Sequence, residues 1–283
     1  MERKDIKMAG LFTIDGFTIT GLDRIHAYYR DTGRAAFYLT ELQSTTISNT
    51  EDTVDITGKG GRVLKQLKRN KAVSVTGESA LISGDLMAVQ TGTDQAAGSY
   101  KVRYPDIIDL TAAMITAGKV TTAYTAVGTA GSEIVDVRVL SDNGGLVKNT
   151  WSQATTATTG KYAYNPETKE LSLPTDATLT AGQKLVVIYD FMADGSKVVN
   201  RSDVFGKTVQ LVIDCTAEDA CDRQYKCQFV IHRAQFSGEF DFELGGDQTI
   251  QNFTANSLVD TCAATMTSNL WDFIAYTGET EST

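Results

Sequence analysis

Val54-Asp55-Ile56-Thr57-Gly58-Lys59-Gly60-Gly61-Arg62 decides how the rest of this chain is read. Val54 and Ile56 alternate with polar neighbours, the period-2 pattern of a strand with one apolar face. Gly58, Gly60 and Gly61 supply a turn that needs positive φ or close backbone approach. Upstream, Ala35–Leu42 and Thr45–Ser48 read as strands. Downstream, Arg62–Lys68 sets Val63, Leu64 and Leu67 on one side of two helical turns, and Ala72–Gly77 returns to a strand through Val73 and Val75. The strongest helix signal comes next: Glu78-Ser79 opens it, Leu81, Ile82, Leu86 and Val89 give an apolar stripe, and Gly92 closes it as a C-cap. Gly84 weakens its interior.

The same stretch carries a charge anomaly. Lys59, Arg62, Lys65, Lys68, Arg69 and Lys71 bring six cations together with no carboxylate between them, on a chain of net charge −9. Such a segment is either a solvated loop or a device for finding an acidic partner, because the summed field steers encounter and fixes orientation. The acidic balance argues against gripping duplex DNA over a broad surface, which needs many cations at phosphates. It is compatible with a surface past which DNA slides without sticking.

At 283 residues the chain fits one large β domain or two medium ones. Composition changes after about residue 103, and all three prolines, Pro105, Pro166 and Pro174, fall before residue 200. Ile134–Leu140, Lys161–Tyr164, Glu170–Leu173 and Lys184–Phe191 read as short strands, with turns at Asp142-Asn143-Gly144-Gly145 and Asn165-Pro166-Glu167-Thr168. This predicts a small, immunoglobulin-like sandwich at 103–200, inserted into a discontinuous β domain of residues 1–102 and 201–283. In the second half of that domain, Thr208–Cys215 and Tyr225–His232 flank an acidic loop with Glu218, Asp219 and Asp222. Ala234–Leu244 reads as one strand, with Phe236, Phe240, Phe242 and Leu244 on one face and Glu239, Asp241 and Glu243 on the other. Ile250–Ala255 returns with Phe253 inward, and 277–283 has the composition of a loose tail.

Cys215, Cys221, Cys227 and Cys262 suit neither a CxxC pair nor a zinc knuckle. They read as reduced thiols near strands, or as a bridge from Cys215 to Cys221 or Cys227. His26 and His232 are the only histidines, and neither has a metal-ligand neighbour at helical spacing. There is no nucleophile elbow, phosphate loop or calcium loop. No catalytic residue, metal or cofactor is expected. No apolar run approaches the roughly 20 residues that span a bilayer, and Met1-Glu2-Arg3-Lys4-Asp5 opens no secretory signal, so folding in a cytoplasm is expected.

Taken in order, Val54 to Arg62, Lys71-Ala72-Val73-Ser74-Val75-Thr76, Ser79 to Ala88 and Thr91-Gly92 resemble the major tail tube proteins of tailed bacteriophages. Phe236 to Leu244 and Gln251 to Asp260 fit the same pattern, so the resemblance covers roughly 24–102 and 204–262. The loop at 215–227 has no counterpart in it. The resemblance implies a virion structural protein, mainly β: a sandwich or barrel subunit flanked by one helix. It further implies rings of six whose sheets join, stacked head to tail around a passage for genome ejection, with viral DNA and other tail proteins as partners. The tail would be assembled in the host cytoplasm. Residues 48–71 would hold the stacking loop, making Lys59, Arg62, Lys65, Lys68, Arg69 and Lys71 the contacts between rings. Asp214, Glu218, Asp219, Asp222, Glu239, Asp241 and Glu243 would supply the acidic partner or the lumen wall. The alternative is another virion part, such as a baseplate, sheath-associated or capsid-decorating protein. From other classes, residues 59–71 could form a nucleic-acid-binding helix, and Trp151 with the tyrosines of 103–200 a sugar platform.

Overall fold

The computed structural model describes residues 16–141, 143–147, 149–243, 250–259 and 268–276. In chain order, β1 (Phe17–Tyr29), β2 (Ala35–Leu39), β3 (Leu42–Thr57) and β4 (Val63–Ser79) lead into α1 (Gly84–Thr91). Then come β5 (Ala96–Asp109), α2 (Ala112–Ala117), β6 (Lys119–Thr121), β7 (Ile134–Leu140), β8 (Leu146–Val147) and β9 (Ser152–Ala154). The chain continues through β10 (Lys161–Asn165), β11 (Glu170–Ser172), β12 (Lys184–Lys197), β13 (Thr208–Asp219) and β14 (Gln224–Phe236). It closes with β15 (Phe242–Glu243), β16 (Ile250–Ser257) and β17 (Asp272–Tyr276). The protein is mainly β and divides into two compact units, Met1–Gln95 with Val198–Thr283, and Ala96–Lys197.

The first unit is one sheet in the order β2-β1-β13-β14-β16-β4-β3, with β15 added to β16 and β17 to β14. Its sheet stays open, and no closed barrel forms among the described residues. Alternation builds the core: Val209, Leu211, Ile213, Cys215 and Ala217 of β13 point to the face that buries Ile25, Ala27, Phe253 and Ala255. The helix α1 adds Leu86 and Val89 to that face. Phe37 meets Phe236 edge to face at 5.5 Å, the orientation that ring quadrupoles favour.

Helix α1 is shorter than the sequence pattern suggests. Val73, Val75, Gly77 and Ser79 keep alternating inward, so β4 runs through Glu78-Ser79 and the helix starts only after Ser83. The Ser83 hydroxyl accepts the Leu86 N–H at 3.2 Å, and the Gln251 amide oxygen accepts the Ser83 N–H at 2.7 Å. Ser83→Ala should cost about 1 kcal/mol, read as a lower urea midpoint. Gly92 ends the helix at φ +75, where an added Cβ would lie 2.0 Å from the Phe205 carbonyl oxygen.

Two further strand assignments change. Tyr225–His232 and the start of Ala234–Leu244 are one strand, β14, which ends where Ser237-Gly238 breaks the ladder. Ser237 then donates its N–H to the Thr254 carbonyl at 2.8 Å, and only Phe242–Glu243 rejoins the sheet. Leu244 and Cys262 lie outside the described residues.

The second unit packs two four-stranded sheets, β6-β11-β10-β9 and β5-β12-β7-β8, around Val120, Tyr162, Leu171, Val137, Leu185 and Tyr189. Its sandwich departs from the immunoglobulin pattern, because β9 and β10 pair in parallel and α2 follows β5 directly. On the outer face of β12, both Asp190 oxygens accept from Arg103, at 2.9 and 3.2 Å, and Lys101 lies 3.2 Å away. The Arg103 hydrogen bonds hold the Asp190 carboxyl at about 2. A carboxyl depressed below its unfolded value of about 3.9 contributes stability that is complete above that pH. That contribution is therefore expected to be lost as pH falls from about 4 to about 2, and Asp190→Asn should flatten this limb in an acid titration followed by tyrosine near-UV circular dichroism.

Candidate functional site

Strand β16 pairs with β4 over Val73–Ser79, and beyond that point β3 and β4 have only each other among the described residues. They form an arm, residues 51–71, that reaches roughly 25 Å at about 3.3 Å per residue. At its tip Gly58 donates to the Arg62 carbonyl at 2.8 Å, and Gly60 and Gly61 take φ of +83 and +76. The expected helix at Arg62–Lys68 is therefore a strand. The physical reason is the partner: Val54 faces Leu67, Ile56 faces Lys65 and Asp52 faces Arg69 across a ladder that a helix would forfeit.

Residues directly opposed in a ladder share a face. Val54, Ile56 and Leu67 thus form an apolar strip, with Lys65 opposite Ile56 at one end and Asp52 opposite Arg69 at the other. Ile56, Val63, Leu64 and Leu67 are 43, 54, 70 and 42% exposed. Sequence reasoning missed this, because the helical pattern put Val63, Leu64 and Leu67 on one side of two helical turns.

The arm is less basic than its sequence suggests. Strand β3 brings Glu51, Asp52 and Asp55 alongside the six cations. Lys68 pairs with Glu51 at 2.6 Å, and Asn70 donates to Asp52 at 2.9 Å. Both contacts are exposed and stabilise little. Lys59, Arg62, Lys65, Arg69 and Lys71 make no ion pair among the described residues.

Six of the seven acidic candidates separate into two regions, residues 214–222 and residues 239–241. Asp214 is buried on the face of β13 away from α1, where Arg24 and His26 of β1 bond to one of its oxygens. Burial pushes its carboxyl up, but the hydrogen bonds from Arg24, Gln228 and His26 outweigh that and leave it below the usual carboxylate range. Asp219 closes the β13–β14 turn by accepting from the Cys221 and Arg223 backbone N–H groups, the Arg223 guanidinium and the Tyr225 hydroxyl. Glu218 accepts from Gln224 at 2.9 Å, and Asp222 sits in the same turn at φ +59. Asp214, Glu218 and Asp219 thus serve the subunit itself.

Glu239, Asp241 and Glu243 do not line one strand, because residues 237–241 leave the sheet. Glu239 and Asp241 instead border a groove of about 560 Å³ on the outward face of β4 and β16. Glu78, read from the sequence as a helix start and not as an acidic candidate, completes its rim and accepts a hydrogen bond from Ser44 at 3.4 Å. The Glu239 N–H bonds to the Ser237 hydroxyl at 3.1 Å, and the Asp241 N–H to Asn252 at 2.8 Å. Of Glu243 the structure describes the backbone alone.

Cys215 and Cys227 face each other across β13 and β14, buried, and Cys221 is exposed in the turn; all three are free thiols. Burial pushes the Cys215 thiol up to about 11, which disfavours the thiolate that oxidation needs. The hairpin bridge considered from the sequence is not formed in the structure.

The sheet ends in β2 on one side and β3 on the other, each paired along one edge only among the described residues. Open edges and a projecting ribbon are the conspicuous surfaces of this mainly β subunit. The chain belongs to the YomU/Tube protein family, whose model matches residues 19–270. No curated protein matches it.

Proposed function

We propose that the chain is the structural subunit of a phage tail tube. Copies close into rings, six by family resemblance, and the rings stack into the conduit for genome ejection. The carrying observation is an arm that the subunit itself does not use: exposed aliphatic side chains and unpaired cations on a ribbon outside the core. Exposed apolar surface of this kind marks an interaction site. Contacts between unlike surfaces that do not close produce filaments.

The open edges fit the same scheme. Joining β3 of one copy to β2 of the next would continue the sheet around a ring and satisfy both rows of backbone groups. The part of the face away from α1 that β1, β13 and β14 carry would line the passage. Its Arg24 and Lys226 are held on Asp214 and Asp23, which limits their grip on phosphate. No enzymatic role is proposed.

Neutralising Lys65, Lys68 and Arg69 to glutamine should shorten the tubes and leave the rings intact, as seen by negative-stain electron microscopy. Because Lys68 is engaged with Glu51, most of the effect should come from Lys65 and Arg69. An unchanged length distribution would remove charge from the stacking contact. Rings that never stack, in the wild-type chain, would point to another virion part.

A further inference from the structure

We infer that the groove between the β4–β16 face and residues 238–241 is the socket into which the basic arm of a second copy of this chain docks. The inference rests on the tube reading and adds to it the receiving surface.

Two acidic surfaces could receive the arm, and the structure separates them. At residues 214–222, Asp214 is 6% exposed and bound to Arg24 and His26, while Asp219 accepts four hydrogen bonds from its own turn. A docking cation would have to displace these partners. At the groove, Glu78, Glu239 and Asp241 are exposed, and none is in an ion pair among the described residues. Three like charges around one concavity sustain a negative potential that only an external cation can relieve.

The shape also fits a ribbon. Ser44, Asn252 and Thr254 line the groove together with those carboxylates, at about 560 Å³. Thr76 and Phe240 also line it, and Gly238, which lines it too, is exposed and carries no side chain. The rim is positioned and not slack: Ser237 holds the Glu239 amide, Asn252 holds the Asp241 amide, and Ser44 donates to Glu78.

The arm offers the complement. Arg62 follows its tip, and Lys65 and Arg69 lie on one face, without ion pairs among the described residues. The arm cannot fold back on its own socket without leaving β4, because both belong to that strand: the arm's cations sit at 65–71 and Glu78 near its end. A second copy is therefore the occupant.

Charge exchange tests this on the full chain. Glu239→Lys with Asp241→Lys should abolish tubes and leave rings, and Lys65→Glu with Arg69→Glu should do the same. Combining all four substitutions should restore tubes, because each arm then meets a reversed socket. If the groove variant forms normal tubes while the arm variant does not, the socket lies elsewhere and the tube reading stands. If the combined variant stays as rings while circular dichroism shows it folded, the pairing of arm and groove is overturned. If neither single reversal affects tubes, charge in the arm plays no part in stacking and the proposal fails.

Discussion

Excising residues 51–71 and joining Thr50 to Ala72 through an Asn-Gly turn is expected to abolish tube growth and leave the subunit folded. The arm contributes no side chain to the core, and β4 keeps β16 as partner over Val73–Ser79. A two-residue turn of that type matches the twist of antiparallel strands. Losing exposed residues of this kind costs less than about 1 kcal/mol, so the thermal midpoint should hardly move. Assembly should respond differently, because the apolar strip and the cations leave together. Electron microscopy should show rings or monomers where the intact chain gives tubes. Tubes of normal length from the shortened chain would exclude the arm from stacking.

The second large effect is expected from Gly92→Ala. Two separate costs meet at this residue. Its φ of +75 disfavours any side chain, by about 1–2 kcal/mol. The added Cβ would also lie 2.0 Å from the Phe205 carbonyl oxygen, a backbone atom that has little room to move. Lys207 beside it donates to the Val89 carbonyl at 2.8 Å, and Phe236 donates to the Lys207 carbonyl at 3.2 Å. Gly206 is equally tight, since its own Cβ would lie 2.2 Å from the Phe236 oxygen. The end of α1, the start of β13 and the end of β14 are thus packed backbone to backbone. We expect Gly92→Ala to destabilise the first unit by at least about 3 kcal/mol, measured by urea unfolding. Gly118→Ala is the control: it has φ of +63 but open space around it, so only the conformational penalty of about 1–2 kcal/mol remains. Equal costs at the two positions would mean that the packing at Gly92 relaxes freely.

Local signals were legible where chemistry and period agreed. Ile134–Leu140 alternates cleanly and is β7 to the residue. Gly92 was readable as a C-cap because only a left-handed glycine serves there. The arm was harder. Val63, Leu64 and Leu67 fit a helical face and also a strand, and three positions cannot separate the two periods. Only pairing with Thr50–Thr57 decides it, although the glycines at 58, 60 and 61 had already signalled a tight turn between them. Misreading that element hid the apolar strip.

The acidic surfaces failed for a different reason. Whether a carboxylate is available depends on partners far away in sequence. Asp214 is held by Arg24, 190 residues earlier, and nothing near either residue announces the pair. Glu78 joins Glu239 and Asp241 only because β16 lies beside β4. Ser237-Gly238 could have been read as the break that takes Glu239 and Asp241 out of the strand, since the serine-glycine pair is a turn signal.

Electron microscopy of the purified full chain at rising concentration tests the central claim most directly. Self-assembly through an arm and open sheet edges predicts hollow tubes of stacked rings, with the arm crossing from each ring into the next. A monodisperse monomer at every concentration, with both sheet edges solvated and the arm untouched, would contradict it.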